Sequence, residues 1–297
     1  MKRIVLFSII LFCSQITFSQ TMNRVVPYGD NKQKLIGPIN KEGLNASPFN
    51  EWFVPNYDNY VLNKKVVSKL KDSLSQYTIK VFLGTWCGDS KKEVPRFYSI
   101  LEAAKFPESQ LEVIALDRTP EAYKQAPNHE EKGLNIHRVP TFIFYKNGQE
   151  VNRIVEHPVE TLERDMLNIV TENKYRPNYI AANYVYALLM SKSIDSLKLE
   201  EQTLVPSLSE FVKGSRELNT LGYVNLRAKN YDKALYIFDL NTKIFPYKDN
   251  VYDSLGEAYF EMENYTDALK NYYKVLSLKP DDENAIEMIE KIKSKIN

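Results

Sequence analysis

One cysteine lies where a strand pattern changes into a helix pattern, and this junction constrains the fold more than any other part of the sequence. The apolar, β-branched run Ile79–Gly84 is typical of a buried strand. The stretch Trp86–Ser90, with the sequence Trp-Cys-Gly-Asp-Ser, follows it, and Lys91–Lys105 has the spacing of a helix. A strand that leads directly into a helix indicates a mixed α/β domain around Cys87.

The position of Cys87 favours a reactive thiol. Unpaired backbone N–H groups and the positive end of the helix dipole at a helix N-terminus stabilise a thiolate. The thiolate is the nucleophile in disulfide exchange. Lys91 and Lys92 add positive charge nearby, and Asp89 opposes them. The alternative is a small buried cysteine that serves packing alone.

The residues around this junction resemble the thioredoxin-like family over about Tyr57–Glu172. Pro95 lies eight residues after Cys87, where the family has a proline that kinks the helix. The segment Arg138–Gly148 resembles the family's loop with a cis-proline, the strand that follows it and a Lys-Asn-Gly hairpin. The resemblance implies an α/β fold with a central mixed sheet flanked by helices, and Pro140 in the cis form beside the cysteine.

The resemblance also implies roles for single residues. Cys87 would attack a substrate disulfide with Pro140 beside it, and Val139 would offer its backbone to an extended substrate strand. The other substrate-binding residues expected by position are Trp86, Gly88 and Thr141. The pattern Trp-Cys-Gly-Asp-Ser is similar to that of a bacterial envelope branch of the family.

Ser90 stands where the family normally has the second cysteine of a Cys-x-x-Cys pair. Serine cannot resolve a mixed disulfide, because an alkoxide does not form at neutral pH, so an outside thiol would be required. The Ser90 hydroxyl could instead donate a hydrogen bond to the Cys87 thiolate. Alternatively, Ser90 and Glu93 match the capping box Ser-x-x-Glu, in which Ser90 caps the helix.

The first 19 residues have the pattern of a secretory signal, with a basic start, a short apolar run and small residues near the expected cut. The apolar run is short for a transmembrane helix, so no membrane span is expected after its removal. Removal would also take away Cys13 and leave Cys87 as the one cysteine of the mature chain. We therefore expect a protein secreted across the inner membrane, in the periplasm.

Composition excludes several other classes of function. A formal net charge of +1, with 43% hydrophobic and 26% charged residues, indicates a soluble globular protein rather than a partner of nucleic acid. The three histidines lack metal-ligand spacing, so neither a metal nor a cofactor is expected. His137, three residues before Pro140, would either raise the thiolate fraction of Cys87 or, as the favoured interpretation, be a surface imidazole.

The C-terminal part repeats with a period of 34 residues. The recurring positions are small or large in the same order: Leu221 and Leu255, Gly222 and Gly256, Ala234 and Ala268, Phe238 and Tyr272, Pro246 and Pro280. This pattern resembles the tetratricopeptide repeat, a pair of packed helices. Glycine and alanine let the two helices approach closely, and the large residues fill the space between them.

The sequence thus predicts five segments. They are a signal at 1–19, an irregular lead at 20–58, a thioredoxin-like domain at 59–172, a helical connector at 173–217, and an all-α module of two tetratricopeptide repeats with a capping helix at 218–297. Two repeats alone are marginal, so the connector helices are expected to complete the array.

The tetratricopeptide resemblance implies a concave face that binds a peptide or protein. Carried over by position, the partner-binding residues are Tyr223, Leu226, Glu257 and Phe260, beside Asn219, Arg227, Asp253 and Glu261. The four residues from the second repeat, Asp253, Glu257, Phe260 and Glu261, are mostly acidic and predict a partner with some basic character. The alternative is a module that serves only stability or oligomerisation.

Two hypotheses for function follow. The first is thiol-disulfide exchange by Cys87 alone, with disulfide- or thiol-bearing envelope proteins or small thiols as partners; isomerase activity also needs only one attacking thiol. The second is a redox-inactive module that holds extended peptides in the thioredoxin groove and on the repeat face.

Overall fold

The structure is a computed structural model that describes residues 21–296. The predicted secretory signal at 1–19 lies outside the described residues. Within 21–296, none of the helices has the length and apolarity that crossing a membrane requires.

Six strands form one mixed sheet in the order β1-β2-β4-β3-β5-β6. They are β1 Arg24–Pro27, β2 Gln33–Ile39, β3 Thr78–Leu83, β4 Leu111–Ala115, β5 Thr141–Lys146 and β6 Gln149–Val155. Strand β3 pairs in parallel with β4 and antiparallel with β5. The predicted turn between β5 and β6 is confirmed, since Asn147 and Gly148 both have positive φ, at 53° and 77°.

Five helices accompany the sheet in this domain. They are α1 Lys41–Asn45, α2 Asn50–Asp58, α3 Lys64–Leu74, α4 Gly88–Ala103 and α5 Leu162–Val170. Alternate residues of β3 point to opposite faces. Ile79, Val81 and Leu83 pack with the helices, whereas Phe82 packs with Ile136 and Val139 from the segment before β5. The mixed sheet with its helices confirms the predicted thioredoxin-like fold class.

The N-terminal lead is not irregular, contrary to the prediction for 20–58. Strands β1 and β2 form an antiparallel pair, and β2 also pairs with β4 from Gly37 opposite Ala115 to Ile39 opposite Val113. Gly37 and Pro38 favour irregular structure in the sequence, because both residues are disfavoured in strands. The long-range pairing with β4 overrides that local preference.

The C-terminal part is all helical. Its helices are α6 Ile180–Ser191, α7 Ile194–Leu199, α8 Glu201–Ser209, α9 Ser215–Arg227, α10 Tyr231–Ile244, α11 Asp249–Glu261, α12 Tyr265–Leu278 and α13 Glu283–Ile296. The repeat occupies α9 with α10 and α11 with α12, and α13 packs on α12. Val185 of α6, Leu197 of α7 and Leu208 of α8 share one core with α9 and α10, so the connector helices complete the array as expected.

Small residues allow the paired helices of the repeat to approach closely. A Cβ atom added at Gly222 would lie 2.4 Å from the Phe238 ring, and one at Gly256 would lie 3.2 Å from the Tyr272 ring. Ala234 and Ala268 are fully buried. The predicted packing role of these four positions is confirmed.

Candidate functional site

Cys87 lies at the start of α4, where it is the N-cap residue and is half-buried. Its thiol donates a hydrogen bond to the backbone carbonyl of Val139 at 3.3 Å, and Sγ lies 4.0 Å from a carboxylate oxygen of Asp89. The helix begins at Gly88 rather than at the predicted Lys91. The thiol therefore lies closer to the helix N-terminus than the sequence indicated.

A tight turn after β3 fixes the position of this thiol. The N–H of Cys87 donates to the carbonyl of Gly84 at 2.8 Å. The indole N–H of Trp86 donates to the carbonyl of Leu116 at 2.8 Å. A Cβ atom at Gly84 would lie 2.5 Å from the Trp86 ring, so only glycine fits there, whereas Gly88 borders open space. Trp86 supports the loop from one side and Gly88 leaves the thiol accessible from the other.

The loop before β5 faces the thiol. The Val139–Pro140 peptide bond is cis, as expected, and Val139 is buried. The Thr141 hydroxyl donates to the carbonyl of Arg138 at 2.7 Å, and the carbonyl of Pro140 accepts from the N–H of Glu156 at 2.7 Å. The structure thus brings Val139 into contact with Cys87. Substrate binding by this loop stays a prediction.

Ser90 does not cap the helix, contrary to one prediction. The helix begins three residues earlier at its Cys87 cap, so Ser90 lies inside the first turn and is 0% exposed. Its hydroxyl oxygen accepts a hydrogen bond from the N–H of Gly84 at 3.2 Å. Within 21–296 the Cys87 thiol bonds elsewhere, so the predicted bond between Ser90 and the thiol is not formed. Ser90 instead ties the first turn of α4 to the end of β3.

Two arginines lie beside residues that adjoin the thiol, Arg118 over Trp86 and Arg138 next to Val139 in the sequence. The guanidinium of Arg118 stacks over the Trp86 ring at 5.5 Å and donates to the Tyr28 hydroxyl at 2.6 Å. Arg138 forms an ion pair with Glu156 at 3.1 Å.

A third cation, Lys124, is buried, with only 4% of its surface exposed. Its ammonium donates a hydrogen bond to the carbonyl of His137 at 2.6 Å. Burial and the like charge of Arg138 lower the pKa of Lys124 to about 7. No sequence pattern marks Lys124 as part of the site, because it lies in a polar stretch without periodicity.

His137 is not a surface imidazole, contrary to the favoured interpretation. It is 1% exposed and its ring meets the Tyr179 ring edge-on at 5.7 Å. Burial, with the nearby charge of Lys124, lowers the pKa of His137 to about 3. The imidazole is therefore neutral at physiological pH and supplies no positive charge to the thiolate.

The loop beside the thiol also holds the helical array. Arg138 donates to the carbonyl of Arg216 in the first turn of α9 at 3.1 Å, and its guanidinium lies 4.7 Å from the Tyr179 ring, just before α6. Gln125 donates to the carbonyl of Arg227 at 3.1 Å at the other end of α9. The contact between the two parts of the chain thus includes the residue two positions before the cis-proline.

The predicted repeat face is partly occupied by its own side chains. The Tyr223 hydroxyl donates to Glu257 at 2.6 Å, and Arg227 forms ion pairs with both Glu257 and Glu261. The positive charge of Arg227 offsets the acidic set, which weakens the expectation of a basic partner. Phe260 is partly buried beneath Lys291, whose ammonium lies 5.1 Å from the ring centre.

Leu226 cannot contact a partner as predicted. Its side chain is 1% exposed and packs in a core with Ala234, Phe238 and Leu255. The carry-over by position failed here because α9 turns Leu226 inward, toward α10. Tyr223, Glu257 and Phe260 remain at least partly accessible.

Residues 21–296 contain no group of three or more histidine, cysteine or acidic side chains placed to hold a metal ion.

Comparison with known proteins agrees with this two-part organisation. A family model described as thioredoxin matches residues 50–168, and one described as SHNi-TPR matches residues 250–281. Thioredoxin Asp f 29 of Aspergillus fumigatus is 31% identical over 71 residues, which are 24% of this chain and 57% of that protein. Superkiller protein 3 of Schizosaccharomyces pombe is 40% identical over 63 residues, which are 21% of this chain and 4% of that protein. The chain thus covers less than two thirds of either relative, and the matches support a thioredoxin-like domain followed by tetratricopeptide-type repeats.

Proposed function

We propose that this protein carries out thiol-disulfide exchange through Cys87 alone, with an external thiol resolving the adduct. The observation that carries the proposal is the position of the Cys87 thiol, half-buried at the N-cap of α4. A thiol in this position has the backbone N–H groups and the helix dipole that favour a thiolate. Ser90, buried and bonded to Gly84, takes no part in the exchange.

The exchange has two balanced steps. The Cys87 thiolate attacks one sulfur of a substrate disulfide, forms a mixed disulfide with it, and releases the other sulfur as a thiolate. A thiolate from a second, external thiol then attacks the substrate sulfur of the adduct. It forms a new disulfide with the substrate and returns the Cys87 thiolate, so no electrons are lost or gained in the cycle.

The mature chain would do this outside the cytoplasm, in the bacterial periplasm. The support is the sequence of the first 19 residues together with the single cysteine that their removal leaves. The repeat face would hold a protein partner through Tyr223, Glu257 and Phe260. Cell fractionation with N-terminal sequencing of the mature protein tests the location, and a full-length cytoplasmic product would contradict it.

Trapping of the adduct tests the exchange directly. The reduced protein is mixed with an oxidised peptide that has one disulfide, and the products are resolved by mass spectrometry without reductant. We expect an adduct of Cys87 with half of the peptide, which an added monothiol converts back to free protein. Cys87→Ser is the control and should give no adduct. A folded wild-type protein that forms no adduct would favour the redox-inactive binding module.

A further inference from the structure

Lys124 is an unusual buried cation. Two lysines are almost fully buried in the part of the chain that the structure describes, Lys34 at 2% and Lys124 at 4% exposure. Lys34 is neutralised by an ion pair with Asp117. Within 21–296, Lys124 has no carboxylate in ion-pair contact; its ammonium has the carbonyl of His137 and the face of the Tyr123 ring, 4.7 Å away. A buried charge is costly unless it is paired with an opposite charge. The ammonium of Lys124 therefore calls for an anion, and no ion pair of the described residues provides one.

The Lys124 hydrogen bond leads to the loop that touches the thiol. His137 is two residues before Val139, and the carbonyl of Val139 accepts the hydrogen bond from Cys87 at 3.3 Å. The N–H of Lys124 also donates to the carbonyl of Asp117 at 2.9 Å, just beyond the end of β4. Two hydrogen bonds thus hold Lys124. Its backbone N–H is bonded to Asp117 near the end of β4, and its ammonium is bonded to the loop that faces Cys87.

The charged and titratable groups around this lysine are few. Burial and Arg138 lower the pKa of Lys124, whereas the negative charges of the Cys87 thiolate and, after it, Glu156 raise the pKa. Glu156 is already held in an ion pair with Arg138. Tyr123 has its pKa raised by burial, and the imidazole of His137 is neutral at physiological pH. A carboxylate oxygen of Asp89 lies 4.0 Å from Sγ. Of the two anions whose charge acts on Lys124, the thiolate and Glu156, only Glu156 is held in an ion pair within the described residues.

We propose that Lys124 is a positioning residue for Cys87, whose ammonium is the buried counter-ion of the thiolate and whose hydrogen bond to His137 holds the loop that carries Val139. The inference rests on the proposed function in that Cys87 is the reacting thiol.

A buried counter-ion for the thiolate also gives a reason why one cysteine suffices. A mixed disulfide removes the negative charge and leaves Lys124 without its counter-ion. The second exchange step restores the thiolate beside Lys124, and a stabilised thiolate is the better leaving group.

Alkylation of Cys87 as a function of pH tests the counter-ion role without any disulfide substrate. The rate with iodoacetamide is measured from pH 5 to 10 for wild type, for Lys124→Met and for Lys132→Met, an exposed lysine of the same segment. We expect Lys124→Met to react about tenfold more slowly at pH 6, since a change of one unit in the midpoint is a tenfold change in thiolate fraction. Its rate on the high-pH plateau should equal that of wild type. Lys132→Met should match wild type throughout.

The reciprocal measurement keeps the inference testable if Lys124→Met does not fold. Titration of the Lys124 side chain by NMR is compared in wild type and in Cys87→Ser. Because coupling between two sites is mutual, loss of the thiolate should lower the titration midpoint of Lys124. An unchanged alkylation profile in folded Lys124→Met, or an unchanged lysine midpoint in Cys87→Ser, overturns the inference. Neither result depends on whether adducts with disulfides form, so the proposed function fails or stands separately.

Discussion

The hydroxyl oxygen of Ser90 accepts a hydrogen bond from the backbone N–H of Gly84 at 3.2 Å, one turn into the helix that Cys87 caps. Ser90→Cys would place a second thiol at this position. We expect this variant to form an internal disulfide on mild oxidation and, once reduced, to reduce one insulin disulfide per molecule as its own two thiols become a disulfide. Wild type should need an added monothiol. The measurement is thiol titration of the products; release of fully reduced insulin by wild type without an added monothiol would show that the argument from Ser90 is wrong.

Ser90→Ala is the matched variant that adds no thiol. It leaves the buried N–H of Gly84 without its acceptor, which should lower the free energy of unfolding by about 1–3 kcal/mol. Denaturant unfolding measures this change. Adduct formation by Cys87 should remain, because the hydroxyl of Ser90 is bonded to Gly84 and the thiol to Val139. A loss of adduct in a folded Ser90→Ala would show that the hydroxyl takes part in the reaction.

Lys124 should make the stability of the protein rise with pH. Burial lowers the pKa of Lys124 from 10.5 to about 7, so the unfolded chain binds more protons than the folded one between these values. The free energy of unfolding of wild type, compared with that of Lys124→Met, should therefore increase from pH 7 to 10. The increase should be on the order of 4 kcal/mol at most. Equal slopes for the two proteins would contradict the burial of a charged lysine.

The two repeat glycines should differ in their tolerance of alanine. The added Cβ would lie 2.4 Å from the fully buried Phe238 ring at Gly222, but 3.2 Å from the Tyr272 ring at Gly256. Gly222→Ala should lower the free energy of unfolding by about 1–3 kcal/mol through overpacking. Gly256→Ala should be nearly neutral, because alanine gains about 1 kcal/mol in a helix interior. Thermal unfolding of both variants measures the difference, and equal losses would contradict the close approach at Gly222.

Arg138→Met should loosen the contact between the two parts of the chain. The substitution removes the ion pair with Glu156, the hydrogen bond to Arg216 and the contact with Tyr179. We expect faster hydrogen exchange in 173–180 and at the start of α9, with a loss on the order of 2 kcal/mol in unfolding free energy. Lys146→Met, which removes an exposed ion pair with Glu172, is the control and should change little. Unchanged exchange in Arg138→Met would contradict the role of this contact.

The sequence predicted the parts of the site that have strong local patterns. The β3 run, the helix after it and the Val139–Pro140 loop each carry their own signal, so the meeting of Cys87 and Val139 was foreseeable. The start of α4 was placed three residues late, and with it the environment of Ser90, because helix ends are decided by turn geometry rather than by periodicity.

Burial that depends on tertiary contacts could not be predicted from the sequence. Strand β2 depends on its pairing with β4, which has no signature within β2 itself. Lys124, His137 and Leu226 are buried by contacts with other elements of the fold. From sequence alone, Lys124 and His137 have the residue types of polar loops, and Leu226 was carried over by position to the repeat surface. Tertiary packing, which a pattern along the chain does not record, decides such positions.

The contacts of Arg138 have a consequence for how this chain can change over generations. One side chain serves the loop beside the thiol through Glu156 and the helical array through Tyr179 and the Arg216 carbonyl. A substitution of Arg138 therefore disturbs both the loop beside the thiol and the contact with the helical array. In related chains that lack the repeats, the second set of contacts does not exist, so we expect the residue before their Val-Pro to vary. Chains that keep the repeats should retain an arginine there or change it together with the residue at the position of Tyr179.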